Sequence, residues 1–174
     1  FGGTWTHEQA LGLVGLGLED SARILQEAGV RMEAGEIIDH LTDTVSARLR
    51  AEGAPFRPGA RELLADLRGA GIKTALVTMS MRRMALSVVD LIDFPAFDVV
   101  VAGDDVERPK PHPDPYLQAA APPGVDITAA VAIEDSPNGP RSATARGAGP
   151  PGVPPPVPLG GVGAHAPRPT PQGR

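Results

Sequence analysis

The side chains able to do chemistry in this chain fall into three short groups. Val77-Thr78-Met79-Ser80 offers two hydroxyls and a run of backbone N–H groups. Gly103-Asp104-Asp105 leads into Arg108-Pro109-Lys110-Pro111, which sets two cations in a proline-bounded loop. Glu134-Asp135-Ser136 offers two adjacent carboxylates. Phosphoryl transfer asks for such a set: hydroxyl and N–H donors for the phosphate oxygens, a cation against the developing charge, and carboxylates to hold a hard divalent ion. Singly, each group has a plainer explanation. Thr and Ser after a strand serve as helix caps, a lysine between prolines is an ordinary solvated loop residue, and Glu-Asp at a helix start suits the helix dipole. Their succession along the chain is what points to a phosphate site.

The elements that must position these groups follow from periodicity. Residues 1–55 read as helical. Thr6 and Gln9 form a capping box before Ala10, Leu11, Leu13 and Val14. A second helix covers about Glu19–Ala28 and stops at Gly29. A third runs over about Glu33–Ala51, with Ile37, Ile38, Leu41, Val45 and Leu49 on one face. Beyond Gly53 and Pro55 the pattern changes. Pro58 starts a helix through Leu63, Leu64 and Leu67 that Gly69 and Gly71 close. Ile72–Val77, Phe97–Val101 and Ala129–Ile133 read as strands; Met81–Ile92, Asp114–Ala121 and Pro137 to about Arg146 read as helices. Alternation of this kind implies βαβ units and a parallel sheet covered on both faces. The three chemical groups then lie at the carboxyl ends of strands, where ligands bind in open α/β sheets.

The strings around these groups also resemble a known family. Thr78 in "ALVTMS", Lys110 in "RPKPHPDPYL" and Glu134-Asp135 in "AVAIEDSPNG" are similar to motifs two, three and four of haloacid dehalogenase-like hydrolases, over about residues 1–147. The resemblance implies an α/β fold with a parallel Rossmann-like sheet flanked by helices and an N-terminal α-helical cap. It implies that Thr78 hydrogen-bonds the transferring phosphoryl group, with Met79 and Ser80 beside it, and that Lys110 neutralises charge. Glu134 and Asp135 would fix Mg²⁺. Residues 1–55 would form the cap that excludes water and selects the substrate, 56–147 the core. Family members that remove halide work without a metal, so the acidic pair favours phosphate chemistry on a small phosphorylated metabolite such as a sugar phosphate.

The chain also departs from that pattern. The family's first motif is an Asp-x-Asp pair after a first strand, and no Asp-x-Asp occurs here. Asp90 and Asp93 fall in a predicted helix, and Asp104-Asp105 in a loop. The chain therefore reads as N-terminally truncated, starting inside the cap, with the first, central strand missing and no carboxylate nucleophile. That strand would lie between those ending at Thr78 and Glu134. Strands sit about 4.8 Å apart, so its loss leaves a gap of roughly 10 Å or an irregular pairing. "LVGLGLEDSARIL" resembles the specificity loop of β-phosphoglucomutases, where a Lys and an Arg hold a second phosphate. Val14 and Leu18 stand at the matching positions, so a phosphatase is favoured over a phosphomutase. A non-catalytic remnant with an anion pocket is the other alternative.

Composition narrows the field further. Hydrophobic residues make up 41% of the 174 and aromatic residues only 3%, so the core must be built from Leu, Val, Ile and Ala. A net charge of −5 argues against a nucleic-acid partner. No apolar run approaches the ~20 residues of a membrane span. The absence of cysteine excludes thiolate and disulfide chemistry. A cytoplasmic monomer is the expectation. Ala148–Arg174 carries nine prolines and six glycines and reads as a disordered tail. His112, His7, Trp5, Arg82 and Arg83 read as structural or solvated. Gly12, Gly15 and Gly17 are no phosphate loop, because no strand precedes them.

Overall fold

A computed structural model describes residues 5–122, 124–135 and 141–142. The predicted helix over Pro137–Arg146 lies mostly outside them, though Arg141 and Ser142 are helical, and the predicted tail lies wholly outside.

The cap chemistry read from the sequence builds the first helices. Thr6 accepts the Gln9 N–H while the Gln9 side chain accepts the Thr6 N–H, starting α1 (His7–Leu11). α2 (Leu18–Glu27) begins after Gly17 and ends at Gly29, whose φ of 101° a side chain would resist. α3 (Ala34–Glu52) starts with a box between Glu33 and Glu36 and packs on α2. Its inward face differs from the expected apolar stripe. Ile37, Thr42 and Ser46 are buried, while Leu41 and Val45 are 42% and 43% exposed. Short side chains at Thr42 and Ser46 let the neighbouring helices approach, and close packing outweighs apolar character in choosing the face.

α4 (Ala60–Gly69) starts two residues later than predicted: Pro58 lies in the preceding turn, and Gly59 takes the cap position in the left-handed region. Two parallel strands follow, β1 (Ala75–Val77) and β2 (Val99–Val101), paired Ala75 to Val99 through Val77 to Val101. Between them runs α5 (Arg82–Val89), with Asp90 at its end and Asp93 in the turn beyond. Both strands are shorter than the sequence predicts, because Asp98 takes over the backbone at their start. The Asp98 N–H donates to the Thr74 carbonyl at 2.8 Å, and its carboxylate accepts the Thr74 N–H at 3.0 Å and the Lys73 ammonium at 2.9 Å. The Lys73 hydrogen bond, then the Thr74 N–H, holds the Asp98 carboxyl below the ordinary carboxylate range. α6 (Asp114–Ala120) follows, with Pro115 tolerated in its first turn. It packs on both strands.

The third predicted strand does not form. Ile127–Ala129 is a 3₁₀ turn capped by Asp126, and within Ala129–Ile133 only Ile133 makes an isolated bridge. Among the described residues the sheet has two strands, and no regular ladder joins β1 to the segment ahead of Glu134. The backbone explains what happens at that edge. Thr74 and Thr78 bond toward β2, so the alternate residue Val77 turns its carbonyl the other way. A lysine ammonium meets that carbonyl, and Val131 and Ile133 are left 73% and 62% exposed.

The core is correspondingly thin. Its buried apolar residues are Ala22, Ala85, Ala96, Ala102, Ala119 and Ala132 with Ile37, Ile92 and Val101. Leucine, expected among the core residues, is absent from that set.

Candidate active site

β1 delivers its carboxyl end to the site. The Thr78 N–H still bonds to the Val101 carbonyl at 2.9 Å, after which the chain turns. Thr78 Oγ1 accepts the Ser80 N–H at 3.1 Å, so that N–H is engaged locally while the threonine hydroxyl keeps its own proton to donate. The Ser80 carbonyl accepts the Gly103 N–H at 2.9 Å. Gly103 runs so close to this loop that a Cβ there would lie 2.4 Å from the Met79 carbonyl oxygen. Backbone against backbone gives way only at a cost, so glycine is favoured here, and the loops after β1 and β2 are locked together.

The aspartates after β2 serve that lock. Asp104 accepts the Arg82 N–H at 2.7 Å, at the start of α5. Asp105 accepts the Ala102 N–H at 2.8 Å and pairs with the Arg82 guanidinium at 2.5 Å. Arg82 is therefore tied down at the helix start, and Arg83 reaches to α3, pairing with Asp39 at 2.7 Å. Arg108 grips Asp114 with two hydrogen bonds of 2.7 and 2.9 Å, fixing the loop to the start of α6. The His112 N–H donates to the Pro109 carbonyl, and its own carbonyl accepts the Ser142 hydroxyl.

Lys110 sits at the centre of this frame. It is 8% exposed, and its ammonium lies 3.0 Å from the Val77 carbonyl and 2.5 Å from Glu134 Oε1. Its own N–H donates to Met79 Sδ at 3.3 Å. The structure thus joins the end of β1, Met79, Lys110 and Glu134 in one place. Asp135 follows Glu134 in the chain and is exposed.

One participant has no counterpart in the sequence reading. Tyr116 donates its hydroxyl to Glu134 Oε1, and the Lys110 ammonium stands 5.2 Å from the centre of its ring. The available signal was compositional: it is the only tyrosine of an aromatic-poor chain, and it follows Lys110 by six residues.

The helical segment reaches the same loop. A Cβ on Gly17, at the start of α2, would stand 3.7 Å from Pro109 Cγ, so the stretch from Val14 to Leu18 approaches the lysine loop. Val14 is 49% exposed and Leu18 half-buried, and neither carries charge. Trp5 lines an open groove elsewhere, with Gln9, Leu13 and Ile24.

The donor set can be weighed against Mg²⁺. Among the described residues no group of three or more His, Cys, Asp or Glu side chains converges. Mg²⁺ does not require one: it is held by one or two carboxylates, several waters and substrate phosphate oxygens. Glu134 and Asp135 fit that requirement.

A two-stranded parallel sheet with flanking helices carries a buried lysine at the end of its first strand, with Glu134 against the ammonium and Asp135 next in the chain. The chain belongs to the haloacid dehalogenase-like hydrolase family, whose model matches residues 1–149. It is 34% identical over 122 residues to a phosphoglycolate phosphatase of Caulobacter vibrioides, covering 70% of this chain and 50% of that protein. It is 37% identical over 89 residues to hexitol phosphatase B of Escherichia coli K12, covering 51% and 40%. The crystal structure of CbbY from Rhodobacter sphaeroides in complex with phosphate superposes with a TM-score of 0.72 at 34% identity, covering 83% of this chain and 68% of that one. The chain spans about half the length of the curated relatives it matches. No helix among the described residues is long and apolar enough to cross a membrane.

Proposed function

We propose that this chain carries the phosphate- and metal-binding side of a Mg²⁺-dependent phosphomonoester hydrolase, cytoplasmic and monomeric, whose substrate is a small phosphorylated metabolite such as a sugar phosphate. The observation that carries the proposal is the buried Lys110 ammonium, held between the carbonyl before Thr78 and the Glu134 carboxylate. A lysine is kept out of water at a strand end only with partners to compensate it. In this reading the ammonium is the positive charge that meets a phosphoryl group, with the Thr78 hydroxyl and the Met79 and Ser80 donors completing the phosphate pocket; its hydrogen bond to the carbonyl just before Thr78 supports that. Relatives named as phosphatases of phosphoglycolate and hexitol substrates support the same class.

The residues divide the work. Thr78 and the Ser80 hydroxyl orient the phosphate, and Met79 contributes its N–H. Lys110 offsets the charge that builds on the phosphoryl oxygens. Glu134 and Asp135 would hold Mg²⁺, which when bound would supply further positive charge to the phosphate. Residues 1–55 act as the cap, which meets the rest of the chain where Gly17 approaches Pro109 and where Arg83 of α5 pairs with Asp39 of α3. Val14 and Leu18 offer no cation for a second phosphate, which favours a phosphatase over a phosphomutase.

This polypeptide by itself does not turn over phosphate esters in the family manner. All of its Asp and Glu residues lie within the described part, and Glu134 is the only one that is buried. Glu134 is engaged by Lys110 and Tyr116, so no carboxylate stands ready to attack phosphorus. Calorimetric titration with inorganic phosphate, with and without Mg²⁺, tests the assignment. Mg²⁺-dependent binding that weakens in Asp135→Asn is expected, with no hydrolysis of p-nitrophenyl phosphate. Hydrolysis by the pure protein that Glu134→Ala abolishes would overturn the inactivity, and phosphate binding indifferent to Mg²⁺ would overturn the metal assignment.

A further inference from the structure

We propose that Tyr116 is a positioning residue for the metal carboxylate, its hydroxyl orienting Glu134 while its ring backs the Lys110 ammonium. The inference rests on the metal and phosphate assignment above and adds a residue to it. Three observations converge on Tyr116. Its hydroxyl donates to Glu134 Oε1. The same oxygen accepts the Lys110 ammonium at 2.5 Å. The ammonium lies 5.2 Å from the ring centre, within cation–π range.

The side chain is also held where it must be to act in this way. Tyr116 sits in the first turn of α6, next to the buried Pro115, and its ring packs against Ala132 with Ile127. Ala132 is two residues ahead of Glu134 in a segment that no strand ladder fixes. Tyr116 thus touches that segment twice, at Ala132 through its ring and at Glu134 through its hydroxyl. In a structure where residues 130–132 have no regular hydrogen bonding, these contacts set where the carboxylate points. With Oε1 committed to two donors, Oε2 keeps its lone pairs for another partner. The ring meanwhile offers its negative face to an ammonium that is shielded from water on most sides.

Two variants separate the roles. Tyr116→Phe removes the hydroxyl and keeps the ring; Tyr116→Leu removes both. Loss of a partner behind a metal ligand costs about 10- to 100-fold in metal affinity. Mg²⁺ affinity by calorimetry is therefore expected to fall about tenfold or more in Tyr116→Phe, while phosphate affinity without Mg²⁺ stays at the wild-type value. Tyr116→Leu is expected to lose both. A spectroscopic signature accompanies this, because the chain holds one tyrosine and one tryptophan. In Trp5→Phe the near-ultraviolet band belongs to Tyr116 alone. Mg²⁺ should shift that band, saturating at the concentration calorimetry gives, and Glu134→Gln should abolish the shift. Wild-type Mg²⁺ affinity in Tyr116→Phe, or a tyrosine band indifferent to Mg²⁺ while Mg²⁺ binds through Glu134, overturns the proposal and leaves the metal site standing. No Mg²⁺ binding to the wild type, or binding unaffected by Glu134→Gln, overturns the metal assignment and this proposal with it. Should Tyr116→Phe fail to fold, the band shift in Trp5→Phe decides alone.

Discussion

Replacing Lys110 by methionine keeps most of the side-chain volume and removes the charge that compensates Glu134. Both members of the pair are 7% exposed at their side chains, so water does little to screen the loss. Breaking a buried pair from one side costs about 3–5 kcal/mol. The Tyr116 hydroxyl remains as a donor to Glu134, which argues for the lower end, about 3 kcal/mol. For a chain of this size each kcal/mol moves Tm by about 2–4 °C, so the melting temperature should fall by roughly 6–12 °C. The double variant Lys110→Met/Glu134→Gln removes both charges. Its residual loss should be about 1 kcal/mol, from hydrogen bonds no longer made. Glu134→Gln alone strands the Lys110 charge and should also cost about 3 kcal/mol, so the double loss should fall about 5 kcal/mol short of the sum of the two single losses, well above the scatter expected of independent positions. Urea unfolding followed by circular dichroism measures all three variants against the wild type. A Lys110→Met protein within about 1 kcal/mol of wild type, below the range for a buried pair, would refute the burial argument. So would a double variant no more stable than the sum of its two single changes.

Two further outcomes follow from the fold. Asp98→Asn should lower stability at neutral pH and flatten the acid side of the curve. The folded Asp98 carboxyl titrates below its ordinary value, so its contribution is present above that value and is lost as pH falls through the lowered one. Tm measured between about pH 5 and pH 2 should drop less steeply in the variant. It should not become flat, because Asp93 and Asp126 are lowered too, by Arg61 and by the Thr128 N–H. An unchanged slope would remove Asp98 from the register of the strands. Gly103→Ala would drive a methyl group into the Met79 carbonyl and should cost about 1–3 kcal/mol by urea unfolding, with weaker phosphate binding as the Thr78–Ser80 loop shifts. A wild-type midpoint would show that the two loops are not locked.

Much of the frame was legible because it depends on short-range chemistry. The Thr6–Gln9 box, the stop at Gly29 and the start of α6 at Asp114 are local events, and each appears in the structure. The succession Thr78, Lys110, Glu134 was legible as a string, and folding brings it to one strand end. What sequence could not supply were the partners. Leu41 and Val45 look like core on α3, but Thr42 and Ser46 present the smaller face to the neighbouring helices. Ile72–Thr74 looks like strand, but Asp98 captures Thr74 from across the pair. Val131 and Ile133 have strand composition and no ladder to join, since strand propensity is realised only through pairing and burial. Asp104 and Asp105 seemed able to serve a ligand, and they cap and brace α5 instead. Tyr116 carries no motif of its own, because its contact with Glu134 spans 18 residues of sequence and exists only once the chain is folded.

In the proposed function, Lys110 and the Glu134–Asp135 pair form one site that binds phosphate and a divalent ion together. Paramagnetic Mn²⁺ in place of Mg²⁺ tests this most directly, through the ³¹P relaxation of inorganic phosphate in the presence of the protein. The wild type should accelerate relaxation beyond what free Mn²⁺ produces, and excess Mg²⁺ should reverse the effect. Lys110→Met should abolish it by losing the phosphate, and Glu134→Gln by losing the metal. Relaxation that matches free Mn²⁺ in the wild type, or that persists in both variants, would contradict the site.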